Sequence, residues 1–192
     1  MVTLADLWLP IVLSAAAVWI ASALAWMVMP HHKGEFKGVP DEDAFLAAMR
    51  SAHVPPGQYM FPFCKDPNAI KTDPALKAKF DAGPWGTMNV IANKWGNMGG
   101  KMAGSFIFYL VVSALAAHLA TIAFPRNVAG GADFAHVFHF TSIVAVMAYC
   151  LASIPQAIWF NKPLGSVIAG LVDGIAFGII TGAIFAWRWP GM

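Results

Sequence analysis

Apolar residues gather into four long runs along this chain, separated by polar stretches of very unequal length. The runs cover 5–29, 102–124, 134–160 and 164–189. Each can cross a bilayer as an α-helix, for which about 20 apolar residues suffice. Helices at the surface of a soluble core carry a polar face, whereas these runs are apolar nearly all round. The pattern predicts an all-α membrane protein with four transmembrane helices and a cytoplasmic α/β-like cap, residues 30–101, between the first and second. The first run has no basic segment ahead of it and exceeds the apolar core of a signal peptide, so it is expected to be retained. Composition agrees with a membrane setting: 58% of residues are hydrophobic and 11% charged, against about 25% charged in an ordinary soluble domain.

The fourth run carries the most information. Gly170, Gly174, Gly178 and Gly182 recur every fourth residue. On a helix they form a smooth ridge against which another helix can lie closely. Ile168, Val172, Ile175 and Ile179 fall on the opposite side, a strip suited to lipid. Asp173 falls beside the ridge with Ser166 and Phe177, ten residues from Pro163. At about 1.5 Å per residue it lies near the bilayer middle. An acid there costs about 2.5–3.5 kcal/mol on insertion scales, so it is expected to face a bundle interior or a hydrated cavity. At similar depth the second and third runs offer Tyr109, Ser113 and Tyr149. Two readings follow: Asp173, Tyr109 and Tyr149 form a proton or ion site, or they lock the helices together.

Charge sets the expected orientation. Nine of the twelve Lys and Arg residues lie between Lys33 and Lys101, and Lys162 is on the same side. Arg126 and Arg188 lie on the other. The positive-inside rule places the long segment in the cytoplasm and both termini outside. A net charge of +2, with no basic cluster, gives no reason to expect a nucleic-acid partner. The expected partners are the lipid bilayer and other membrane subunits, or further copies of the chain.

Within the polar segment, Asp41 is expected to cap a short helix over 44–53, and Asp73-Pro74 to open another that ends at Phe80. Residues 58–63 and 87–92 are strand candidates that pair with each other. The glycines of 95–101 are expected to form a hinge or a close helix approach before the second run.

Histidines are the candidates for metal chemistry. His118 in the second run and His136 and His139 in the third are expected at similar depth near the outer side. Facing each other across a bundle, they could ligate the iron of haem b or hold copper or zinc, and the plainer reading is interfacial imidazoles bonded to backbone, water or each other. His31-His32 is expected on extended chain, where neighbouring side chains point apart, and so to be no more than an interfacial pair. Cys64 and Cys150 lie in unlike surroundings, a polar loop and a span, which argues against a disulfide. There is no nucleophile elbow, phosphate-binding loop, dinucleotide fingerprint or zinc-protease helix, so nothing points to an enzyme.

One resemblance is present. The first run ends Pro30-His31-His32-Lys33, and Val39-Pro40-Asp41-Glu42, Pro56-Gly57-Gln58-Tyr59 and Gly83-Pro84 follow. The last run ends Phe185-Ala186-Trp187-Arg188-Trp189-Pro190. This order resembles a group of small four-span bacterial inner-membrane proteins with one long loop after the first helix. The resemblance implies a bacterial source and a cytoplasmic-membrane location, and it assigns no activity. Three functions are expected from the residues: an accessory or scaffold subunit packing through the glycine ridge; an oligomeric proton-coupled transporter using Asp173; or a haem- or copper-binding redox subunit.

Overall fold

A computed structural model describes residues 2–92, 97–124 and 133–190. The chain divides into two compact units, one formed by Met1–Lys37 with Asn97–Met192 and the other by Gly38–Gly96. Residues 30–37 thus belong with the long helices, and the second unit begins at Gly38, later than the predicted boundary at Pro30.

Among the described residues, the helical unit holds four helices long and apolar enough to cross a membrane, consistent with a multi-pass membrane protein. They are α1 (Trp8–Met27), α5 (Met98–Ala123), a third span over Phe134–Trp159 and α8 (Leu164–Trp187). Pro10 lies in the first turn of α1, where no intrahelical donor is lost. α5 starts earlier than the apolar run suggests. The Asn97 side chain accepts the Gly100 N–H at 2.9 Å and caps the helix. Gly99 and Gly100 are therefore first-turn residues of α5, which corrects the expected hinge. Residues 93–96 lie outside the described residues.

The third span is not one regular helix. It runs as α6 (Phe134–Val146), then a π-helical stretch Met147–Leu151, then α7 (Ser153–Trp159). Pro155 supplies the cause. Its ring clashes with the carbonyl of the residue four before it, which is Leu151, and it brings no N–H. The wider π turn ends at Leu151, and the Ser153 hydroxyl donates to the Cys150 carbonyl at 2.7 Å. The stretch stays apolar while its hydrogen bonding is rearranged locally.

α8 is the central packing element, lying against α6 and against α1, while α1 also packs on α5. Leu7, Ala117, Ala120, Val137, Phe185 and Ala186 share one buried cluster. Ala15, Val18, Tyr109 and Phe177 share a second, further along the bundle. The glycine spacing explains the α6–α8 approach. A side chain added at Gly174 would meet Cys150 Sγ, at Gly178 Val146 Cγ2, and at Gly182 Ser142 Oγ and the Phe138 carbonyl. These three notches are filled by the same chain's third span. Gly170 is different, since an added Cβ there meets nothing within 4 Å. On the other side of α8, Ile168, Val172, Ile175 and Ile179 are exposed.

The second unit is small. It contains α2 (Glu42–Ser51), β1 (Gly57–Phe61), α3 (Ala69–Thr72), α4 (Pro74–Ala82) and β2 (Gly86–Val90). β1 and β2 pair antiparallel, with Tyr59 opposite Met88. The Asp41 side chain accepts from Ala44 N–H at 3.1 Å, and the Asp73 side chain from Ala75 N–H at 2.9 Å. Both acids cap the helices that follow them, as their positions in the sequence indicate.

Candidate functional site

The site begins where α1 ends. Met29 is extended (φ −74°, ψ 147°), as a residue before proline prefers to be. Pro30 then opens a single 3₁₀ turn, Pro30–His32, because its fixed φ suits the first position of a helical turn. Lys33 N–H closes the turn on the Pro30 carbonyl at 3.1 Å, and Glu35 N–H bonds the His32 carbonyl at 3.1 Å. The turn carries the chain back toward α1. Continued helix would place residue 32 about 9 Å beyond residue 26 along the axis. Instead the His32 ring lies flat on the Trp26 indole.

The predicted extended conformation of His31-His32 is therefore corrected. Successive residues of a 3₁₀ turn are about 120° apart, not the 180° of extended chain, and both imidazoles point to one target. Their centroids are 4.3 Å apart. His31 Nε2 lies 2.9 Å from Asp173 Oδ1, and His32 Nε2 lies 2.8 Å from Asp173 Oδ2. His32 Nδ1 lies 2.5 Å from Glu35 Oε1. One carboxylate thus meets two imidazoles, and one imidazole meets two carboxylates.

Burial grades across the cluster. The side chains of His32, Glu35 and Asp173 are 4%, 9% and 11% exposed, and that of His31 is 27% exposed. Burial acts to lower the His32 pKa. Hydrogen bonds to Asp173 and Glu35, with the charges of the two carboxylates, outweigh it, so the net shift is upward. With both ring nitrogens facing carboxylates, the protonated ring donates to each. The His32 ring thus has a carboxylate at each of its two nitrogens, and His31 approaches the second oxygen of Asp173.

The cluster is reached from an open cleft of about 510 Å³, lined by His31, Glu35, Lys37, Pro163 and Ser166, among others. Ser166 also borders a smaller cavity of about 100 Å³ with Tyr149, Ser153, Lys162 and Gly170. The glycine without a helix against it therefore borders open space beside the site.

Asp173 is buried, facing the interior as expected. Its expected partners are corrected. Tyr109 and Tyr149 are drawn together with Phe177, one turn further along α8, with ring centroids 5.9–6.1 Å apart. Neither bonds to Asp173. The Tyr109 hydroxyl donates to Ser22 Oγ at 2.8 Å. The Tyr149 hydroxyl is buried without a well-formed hydrogen bond. Its neighbour Thr181 donates to the Phe177 carbonyl at 2.8 Å and so can only accept from Tyr149. The Ser113 hydroxyl is likewise buried without a partner.

The expected ligand set of His118, His136 and His139 is not assembled. All three are exposed. The Asp133 side chain caps α6 by accepting the His136 N–H at 2.8 Å, and the same oxygen lies 2.7 Å from His136 Nδ1. Those bonds hold the Asp133 carboxyl below its usual range. Among the described residues, the group of His, Cys, Asp and Glu side chains close enough to share a metal ion is His31, His32 and Asp173. The haem and copper expectations thus lose the residues on which they stood. Two signals in the sequence pointed to the observed cluster: Glu35 three residues after His32, and a proline able to start a turn as well as end a helix.

Comparison with protein-family models, with curated proteins and with solved structures finds no match for this chain.

Proposed function

We propose that this chain is an integral membrane protein that binds a cation at Asp173 and moves it through the bundle. The observation that carries this reading is the meeting of His31, His32 and Glu35 around an acid buried in a candidate span. Ionisable groups at such depth are expensive, and they commonly mark an ion or proton pathway. Carboxylate oxygens and imidazole nitrogens gathered within reach of one point are cation ligands, and the open cleft beside His31 gives access from bulk water.

Orientation completes the reading. With the basic long segment in the cytoplasm, both termini lie outside and the cleft opens on the cytoplasmic side. The resemblance noted above implies a bacterial inner membrane. Four spans make a slender bundle, so assembly with a second copy or another membrane subunit accompanies transport. The ridge itself gives little support to an external scaffold role, because Gly174, Gly178 and Gly182 are covered by the chain's own third span.

The test is ion flux in proteoliposomes, with entrapped dyes reporting H⁺, Na⁺ or Zn²⁺. The expected result is flux of one of these ions above that of empty vesicles, abolished by Asp173→Asn in protein that still reconstitutes. Flux unaltered by Asp173→Asn, or absent for all three ions, would overturn the reading.

A further inference from the structure

We propose that the cation is a divalent transition metal of the zinc class, held by His31 Nε2, His32 Nε2 and a carboxylate oxygen of Asp173. The inference rests on the reading that this site takes a cation, and it names the chemical class.

The donor set is the first argument. Two imidazole nitrogens and one carboxylate suit Zn²⁺, Co²⁺ or Ni²⁺, whereas Ca²⁺ and Mg²⁺ require a shell of oxygens that this site lacks. Reach is the second. The three ligand atoms all lie within 4.8 Å of one another. Bonds of about 2.0–2.2 Å in tetrahedral geometry separate ligand atoms by roughly 3.3–3.5 Å. The 2.8 and 2.9 Å contacts go to different oxygens of Asp173, so a single ion spans the set when the imidazole on the ligating oxygen moves out by about half an ångström and the other ligand moves in from no more than 4.8 Å.

The surroundings supply the third argument. A histidine that ligates a metal through one nitrogen typically donates from the other to a carboxylate, which fixes the tautomer and aims the lone pair. His32 has that arrangement: Nδ1 faces Glu35 Oε1, and Nε2 faces the proposed ion. Trp26 covers the flat face of the ring. The ion takes the place of the proton shared between His32 Nε2 and Asp173, which is released to water, while the Nδ1 proton stays on the Glu35 side. His31, the least buried of the ligands, borders the cleft. That leaves a fourth position for water, the layout of a site that exchanges its ion rather than one closed for structure. Glu35 is a positioning residue in this scheme, and it touches no metal.

The experiment uses the full-length protein in detergent, stripped with chelator, dialysed and then titrated with ZnCl₂ or CoCl₂. Calorimetry and elemental analysis are expected to give one Zn²⁺ per chain, and Co²⁺ to give the intense visible absorption of a tetrahedral centre. His31→Gln, at the partly exposed ligand, should lower Zn²⁺ affinity at least 100-fold while leaving the thermal transition of the metal-free protein near that of wild type. Glu35→Gln should lower affinity about 10–100-fold, the usual effect of removing such a supporting carboxylate, and leave the Co²⁺ band shape recognisable. His136→Ala, remote and exposed, should change neither measurement. Substoichiometric Zn²⁺, or binding unaffected by both His31→Gln and Asp173→Asn, would overturn the metal assignment. If H⁺ or Na⁺ flux nonetheless depends on Asp173, the transport reading stands and the metal assignment falls. Stoichiometric Zn²⁺ at these residues without any flux leaves a resident metal, so the assignment stands and transport falls.

Discussion

The indole of Trp26 and the imidazole of His32 are stacked, with centroids 4.0 Å apart and planes 4° from parallel. Trp26 is in the last turn of α1, and His32 is in the 3₁₀ turn that reverses the chain after it. The stack holds the reversal in place, because an imidazole lying on that indole keeps its ring edges turned toward Asp173 and Glu35. Aromatic pairs of this kind contribute about 0.5–1.5 kcal/mol beyond their burial. Trp26→Ala is therefore expected to weaken the proposed cation binding about 2–10-fold, with Trp26→Phe retaining most of the affinity. Titration of the purified variants checks this. Equal affinity in wild type and Trp26→Ala would show that the turn is positioned by other contacts.

The glycine ridge is graded, and its gradient is measurable. At Gly182 an added methyl carbon would lie 2.7 Å from the Phe138 carbonyl oxygen, and at Gly178 it would lie 3.1 Å from both Ser142 O and Val146 N. Those neighbours are backbone atoms that cannot rotate away. Gly182→Ala and Gly178→Ala are expected to destabilise the bundle by about 1–3 kcal/mol, the usual range for overpacking. Gly170→Ala enters open space, so the better helix propensity of alanine leaves stability unchanged or raised by up to about 1 kcal/mol. Unfolding in mixed detergent and SDS separates these cases. Equal losses at all three positions would contradict the observed α6–α8 approach.

Two tyrosines in one aromatic cluster are expected to behave differently. Tyr109 donates to Ser22 across the α5–α1 contact, and a net hydrogen bond of this kind contributes about 0.5–1.5 kcal/mol. Tyr109→Phe should destabilise by that amount. The Tyr149 hydroxyl is buried without a well-formed hydrogen bond and has only the Thr181 hydroxyl beside it as acceptor, so Tyr149→Phe should be near neutral. The same unfolding titration applies. A larger loss at Tyr149 than at Tyr109 would show that the Tyr149 hydroxyl finds a partner, for instance an internal water.

Much of this architecture is legible in the order of residues. Four apolar runs become four helices long and apolar enough to cross a membrane, and a helix satisfies the backbone hydrogen bonds within each segment. The capping acids Asp41 and Asp73 act on N–H groups two or three residues away, so local sequence suffices to place them. The two strands are similarly recovered, with ends shifted by one to two residues. Spacing by fours puts Gly174, Gly178 and Gly182 on one side of α8 whatever lies next to it. That Asp173 would be sheltered also follows from the sequence, since an acid in an apolar run has few other tolerable positions.

The companions of Asp173 required the folded chain. Depth arguments select Tyr109 and Tyr149, because they count residues along each helix and assume straight continuation. His32 lies 141 residues from Asp173 in sequence, and it reaches the acid only because the chain reverses at Pro30 and returns alongside α1. Which way each helix face is turned, and whether a segment beyond a helix end leaves the bundle or folds back into it, depend on contacts between distant segments. Composition and periodicity decided that the chain forms apolar helices with one sheltered acid. Packing of α8 between α6 and α1, with the turn after α1 folded back toward Trp26, decided which side chains surround that acid.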